Sequence, residues 1–315
     1  MTAPITFQPI YMERVWGGRT LETLYGRALP QPGIPFGESW EVVDRPREQS
    51  VVTGGMMPGL TLNRLWCEFR SQVFGSRGHR HPSPCFPLLL KILDAREPLS
   101  IQVHPPPQVA AKLGGEPKTE MWYVTHAEPG ACLYVGLRGG VARAAFERAL
   151  ADGTVADLVH RVPVKAGDSI FIPSGRLHAI GAGLVIFEIQ QNSDTTYRVF
   201  DWNRIGLDGK PRALHLRESL ECIDFSDYEP AVLRGEEPVL ADCAHFRVIR
   251  WHFASGETKP AGGACVVAVV AGQLGFGGTV FGPGEFFLVP EGARGIELFE
   301  AQEETTFLSV SLPAA

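Results

Sequence analysis

Residues 166–180 read AGDSIFIPSGRLHAI, and residues 282–296 read GPGEFFLVPEGARGI. Aligning Gly167 with Gly284 sets Asp168 on Glu285, Pro173 on Pro290 and Gly175 on Gly292. In each copy a Gly-acid turn leads into a short apolar run that ends in Pro-x-Gly, the punctuation of a strand between turns. The same alignment puts Gly295 where the first copy has His178. A repeat of this kind predicts two similar β-domains, one carrying a site and one without it.

The rest of the chain agrees with a mainly β fold. Short β-rich runs such as FPLLLKIL, EMWYVTHA, CLYVGL, LVIFEIQ, FRVIRWHF and CVVAVVAG are separated by clusters of Gly and Pro, the pattern of a sandwich or barrel. Helical patterns are fewer. They cover residues 61–69, residues 105–115 and, most clearly, residues 142–162, where Phe146, Leu150, Val155, Leu158 and Val159 fall near helical spacing. A helical insertion in an otherwise β chain is the expectation. At 315 residues the chain suggests two domains of about 150 residues each.

Composition excludes several functions. Net charge is −6 with no basic block, so no electrostatic case exists for binding nucleic acid or a membrane surface. No apolar run reaches the ~18 residues of a membrane span, and no signal-peptide pattern opens the chain. The six cysteines are scattered without a C-x-x-C pair, which argues against a disulfide framework or thiolate zinc and fits a reducing, cytoplasmic setting.

Chemistry concentrates in PLSIQVHP, residues 98–105. Strand side chains alternate faces, so Ser100, Gln102 and His104 look one way while Ile101 and Val103 look the other. KTEMWYV supplies Lys118 and Glu120, again two apart, and PSGRLHAI supplies His178 just past a strand and turn. Two imidazoles, a carboxylate and an amide oxygen suit a divalent ion such as zinc, with room for an exchangeable water. A strand face that is simply wet is the competing reading. Lys91 lies in an apolar strand and needs a partner if buried, and residues 188–204 are dense in polar groups, among them Glu188, Arg198 and Arg204. HRH at 79–81 reads as a surface loop, and His126, His160, His215, His245 and His252 show no partner pattern.

Together FPLLLKILDAREPLSIQVHP, PKTEMWYV, GDSIFIPSGRLHAIGAG and EIQQNSDTTYRVFDWNR resemble the type I mannose-6-phosphate isomerases, also called phosphomannose isomerases, in their short bacterial form. RVWGG (14–18) and GESWEV (37–42) resemble that family's N-terminal segments. The resemblance runs from about Arg14 to about Arg204. It implies two cupin-like jelly-roll barrels with a small helical insertion. Residues 1–235 would form the metal-bearing catalytic domain, including a helical segment at about 105–160, and residues 236–315 a cupin-like domain without a metal site. It implies one Zn2+ per chain on Gln102, His104, Glu120 and His178. Arg198, Lys118 and Glu188 would be catalytic, and Ser100, Lys91 and Lys118 would bind a phosphosugar. The implied reaction interconverts mannose 6-phosphate and fructose 6-phosphate through a cis-enediol. The proton-abstracting group is left open between a metal-bound hydroxide, Glu188 and Lys118. A sugar-binding or regulatory cupin, or an isomerase for another aldose, is the alternative.

Overall fold

A computed structural model describes residues 2–235 and 237–313. The first half contains β1 (Thr6–Phe7), β2 (Ile10–Gly18), β3 (Phe36–Val42), β4 (Val52–Gly54), β5 (Leu88–Ala95), β6 (Ile101–Val103), β7 (Glu120–Ala127), β8 (Cys132–Leu137), β9 (Val159–Pro163), β10 (Ser169–Ile172), β11 (His178–Ile180), β12 (Leu184–Gln191) and β13 (Tyr197–Phe200). The second half contains β14 (Val239–Asp242), β15 (Arg247–Phe253), β16 (Thr258–Pro260), β17 (Cys265–Ala271), β18 (Leu274–Phe276), β19 (Thr279–Phe281), β20 (Phe286–Val289), β21 (Leu298–Ala301) and β22 (Thr305–Ser311).

Two antiparallel sheets make each barrel. In the first, β10-β7-β12-β5 form one sheet, extended by β2 and β3, and β6-β11-β8-β9 form the other, extended by β13. In the second, β20-β17-β22-β15 and β16-β21-β18-β19 repeat the same order strand for strand, with β14 added beside β15. Eight strands connected in this way are a jelly roll, so the chain holds two copies of one fold, the mainly β architecture expected. Both Gly-acid turns behave alike: Gly167 and Gly284 take φ of +93° and +79° and open β10 and β20.

Alternation decides what faces where. Leu88, Leu90 and Ile92 of β5 and Val185, Phe187 and Ile189 of β12 leave the first barrel on one side. There they meet Phe246, Val248, Leu288, Leu308 and Val310 of the second barrel in one continuous core. Their neighbours Lys91 and Glu188, paired across β5 and β12, must therefore point into the first barrel. The second barrel's own interior is packed with phenylalanines, among them Phe253, Phe276, Phe281, Phe287, Phe299 and Phe307. Further links join the halves. Ile5 exchanges backbone hydrogen bonds with Leu288 at 2.9 and 2.8 Å. Gly75, at the kink of the helical stretch Arg70–Arg80, sits so close to Glu291 that a Cβ there would lie 2.7 Å from its carboxyl carbon.

Several sequence expectations change. The segment at 105–160 is not a continuous helical insertion, because β7 and β8 run through it. The helix within 142–162 covers Arg143–Asp152 and ends at left-handed Gly153, and Val159, counted as helical by its spacing, begins β9. A larger helical piece, Leu62–Glu68 and Arg70–Arg80, lies before the first barrel, and His79 and Arg80 are in it rather than in a loop. The expected division between 235 and 236 falls at a residue outside the described ones. Ile5 and Gly75, both of the first half, lie against Leu288 and Glu291 of the second barrel. No helix among the described residues is long and apolar enough to cross a membrane.

Leu288 is 2% exposed within the shared core. Leu288→Ala is expected to cost about 2–5 kcal/mol of stability. Equilibrium denaturation should show one displaced transition, with tryptophan fluorescence and far-UV circular dichroism coinciding. Separate transitions for the two halves would show that the common core does not couple them.

Candidate metal centre and cleft

Strand register builds the site. Gln102, the central residue of β6, pairs with His178 of β11 on one side and with Arg198 of β13 on the other. Ile101 and Val103 are fully buried in the outer core, which turns Ser100 and Gln102 inward. His104 follows as the strand ends at Pro105. The turn into β11 is tied to it, because Gly175, at φ +95°, donates its backbone N–H to the His104 carbonyl at 2.9 Å.

His104, Glu120 and His178 converge, with one ligand atom from each lying within 4.8 Å of the others. His104 Nε2 is 3.4 Å from Glu120 Oε2, and His178 Nε2 is 3.5 Å from Glu120 Oε1. Each imidazole is anchored from behind. Nδ1 of His104 donates to the Thr195 carbonyl and Nδ1 of His178 to the Arg176 carbonyl, both at 2.8 Å. A carbonyl only accepts, so each ring keeps its proton on Nδ1 and turns an Nε2 lone pair toward the cluster. Burial, helped by neighbouring His104, holds His178 down to about 3, so it stays neutral at ordinary pH.

Both Glu120 oxygens are buried and accept no hydrogen bond. Burial alone disfavours that carboxylate, but the Lys118 ammonium 3.1 Å away and the adjoining imidazoles outweigh it and hold its pKa well below the ordinary value. Orphaned carboxylate oxygens facing two imidazole lone pairs are the donor set of a divalent cation. Gln102 adjoins them, its side-chain amide 3.3 Å from His178 Nε2. A half-turn of that amide presents its oxygen instead. The residues present therefore fit a metal ion.

Above the cluster lies a cleft of about 300 Å³. Lys91, Ser100, Gln102, Lys118, Glu188 and Arg198 all line it, and Gln102 and Lys118 join it to the cluster below. Arg204, the other arginine singled out in that segment, stays apart, bonded to the Pro98 carbonyl. Lys118 is 3.3 Å from His104 Nε2. Burial opposes its charge, yet Glu120 and Glu188 outweigh it and raise its pKa. Lys91 lies 3.4 Å from both Glu38 and Glu188. Glu188 also accepts from Trp122 Nε1 at 3.0 Å, and Trp122 stands edge-on to the His178 ring, 5.3 Å between centroids. Burial lifts Glu188 above the ordinary carboxylate range, against the pull of Lys118 and Lys91.

Other lining residues were given no individual role from the sequence. Glu38 of β3 accepts from Arg14 Nε at 2.7 Å and Trp40 Nε1 at 2.6 Å. Its signal was a carboxylate in GESWEV on a strand buried on both faces. His215, read as an ordinary histidine, also lines the cleft, and its Nδ1 accepts the Arg198 backbone N–H at 3.2 Å. Arg212, held in a salt bridge by Asp201, completes that wall.

Strand register identifies the residues that stand in the second barrel at the positions of Glu120, Gln102 and His178. Ile172 pairs with Glu120 as Val289 pairs with Cys265, so Cys265 stands for Glu120. Gln102 pairs with His178 as Lys259 pairs with Phe299, each of Gln102 and Lys259 being central in a three-residue strand. Phe299, not Gly295, thus takes the place of His178. The turn at Glu291–Ala293 and left-handed Gly295 lengthen this copy between Pro290 and β21.

A family model for "Phosphomannose isomerase type I, catalytic domain" matches residues 5–116. The mannose-6-phosphate isomerase ManA of Bacillus subtilis is 36% identical over 286 residues, covering 86% of this chain and 87% of that protein. The mannose-6-phosphate isomerase of Streptococcus mutans is 38% identical over 282 residues, covering 87% and 86%. A crystal structure of the mannose 6-phosphate isomerase from Bacillus subtilis superposes with a TM-score of 0.84 at 28% identity, over 98% of this chain and 99% of that one.

Two outcomes follow. Purified protein should carry one divalent ion per chain by elemental analysis, and His178→Ala should lower that occupancy sharply, since one of few protein ligands disappears. Two ions per chain would contradict the loss of ligands from the second barrel. Burial pushes Glu38 up, but Lys91 and Arg14 outweigh it and bring it down to about 2, below its ordinary 4.5. A depressed carboxylate stabilises the fold fully above 4.5 and loses that contribution as pH falls from 4.5 through about 2. Denaturation of wild type and Glu38→Gln should show the largest stability gap near neutral pH, closing below pH 4.5. A gap that widens in acid would refute the ion-pair account.

Proposed function

The chain belongs to the type I phosphomannose isomerases, and from that premise we propose that it interconverts mannose 6-phosphate and fructose 6-phosphate. The observation that carries the reading is a buried His-Glu-His cluster under a cleft lined by Lys91, Lys118, Glu188 and Arg198. Moving a proton between C2 and C1 of an open-chain sugar needs an acid and base for the proton and stabilisation of the enediolate that develops.

Gln102, His104, Glu120 and His178 would hold the ion, and this nitrogen and oxygen set suits zinc, one per chain. When bound, the ion supplies Lewis acidity toward the sugar oxygens. Ser100, Lys91 and Lys118 bind the phosphosugar. Lys91, fixed between Glu38 and Glu188, also keeps Glu188 in place. Glu188, lifted by burial, is suited to accept the C2 proton, and Lys118 to hold a proton at the sugar oxygens. Arg198 spends Nη1 on the Ala213 carbonyl, while its buried Nε has no partner. Its fixed charge, one strand from Gln102, is placed to stabilise the enediolate.

A coupled assay that converts mannose 6-phosphate to fructose 6-phosphate, lost with a chelator and restored by metal, tests the reading. No conversion by metal-loaded protein would refute it. Arg198→Ala should lower kcat by about 10²–10³ while leaving metal content unchanged. A normal kcat with only a raised KM would make Arg198 a substrate-binding group instead.

A further inference from the structure

The second barrel keeps a cavity of about 280 Å³ at the position that the first uses for its metal and cleft. The strand equivalence is direct. Cys265 stands for Glu120, Lys259 for Gln102 and Phe299 for His178, and all three line the cavity. Trp122 pairs with Glu188 as Val267 pairs with Ser309, so lining residue Ser309 stands for Glu188. A copy that had only lost its metal would be free to fill this space with apolar side chains, as the remainder of the same interior is filled.

Cations gather at the cavity instead. Arg77 arrives from the helical stretch before the first barrel, Arg247 from β15, Lys259 from β16 and Arg294 from the turn before β21. Glu291 is the one carboxylate in the lining among the described residues, and it pairs with Arg294 at 3.2 Å. Arg247 reaches Asp242 at 3.5 Å, yet its Nε is buried without a hydrogen-bond acceptor. Arg77 and Lys259 have no carboxylate partner among the described residues. Two unpaired cations beside two paired ones leave the cavity with an excess of positive charge, which favours an anion there. One wall is apolar: Trp251, carrying the Lys259 ammonium 4.1 Å above its ring, and Phe299. Ser309, whose hydroxyl accepts from Trp251 Nε1 at 2.9 Å, and Ser311 add polar contacts.

We propose that this cavity is a second binding site for a small phosphorylated sugar, with Arg77, Arg247 and Lys259 on the phosphate and Trp251 against the sugar. Aromatic, hydroxyl and cationic groups in that combination match a phosphorylated carbohydrate, and a volume near the lower limit for ligand pockets restricts it to a small one. The inference concerns binding alone and stands whether or not the first barrel is an isomerase.

Trp251 supplies a local readout. Protein labelled with 5-fluorotryptophan, its Trp251 signal assigned by Trp251→Phe, is titrated with fructose 6-phosphate and, separately, with inorganic phosphate. The Trp251 fluorine resonance should shift saturably with fructose 6-phosphate and at least ~10-fold more weakly with phosphate alone. Arg247→Ala combined with Lys259→Ala should weaken the fructose 6-phosphate response at least ~10-fold, with isomerase kcat/KM held within about two-fold of wild type. An unmoved Trp251 resonance, an equal response in the double variant, or equally tight binding of inorganic phosphate would overturn the proposal.

Discussion

One backbone register governs the site. Gln102 pairs with His178 on one flank and with Arg198 on the other, so a three-residue strand places a histidine of the buried cluster and the cleft arginine together. Slipping that register by one residue would turn Gln102 into the outer core and bring Ile101 or Val103 inside. The outer core forbids it, because both apolar side chains are fully buried there. Packing on one face of the strand is thus what holds chemistry on the other.

The inward face then has to settle its charges. Glu38, Lys91, Lys118, Glu120 and Glu188 are all at most 8% exposed. Charges so placed persist only when paired, and each lysine here lies between two carboxylates or their neighbours. The resulting chain runs from Arg14 through Glu38 and Lys91 to Glu188. It fixes side chains before any substrate arrives, which is the condition for stabilising a developing charge without reorganisation. The second barrel shows the other solution. Where Lys91 and Glu188 pair in the first, Ile249 and Ser309 pair in the second, and the charges move out to the cavity rim.

What could be read from the sequence follows from how local each signal is. Ser100, Gln102 and His104 were legible because period-two alternation declares a strand face within a few residues. Gly167 and Gly284 were legible because a turn writes its own glycine. Glu38 and Arg14 were not assigned, since their partner Lys91 lies on another strand and only tertiary pairing gives them meaning. His215 was missed for the same reason: its role depends on a backbone bond to Arg198. The helix expected through residue 162 failed because apolar residues at Val155 and Val159 serve a turn and then a strand, and apolar spacing alone does not separate those from a helical face. Gly295 was misplaced against His178 because the second copy is longer between its turn and its strand.

The bond between Ile5 and Leu288 also orders events in time. Synthesis delivers Ile5 long before Leu288, the residue that bonds to it. Throughout synthesis the outer face of the first barrel, with Phe187, Ile189 and Leu90, waits for a partner that has not been made. That apolar face therefore stays uncovered until the second barrel is made, and the interval of exposure lengthens as translation of the second half slows.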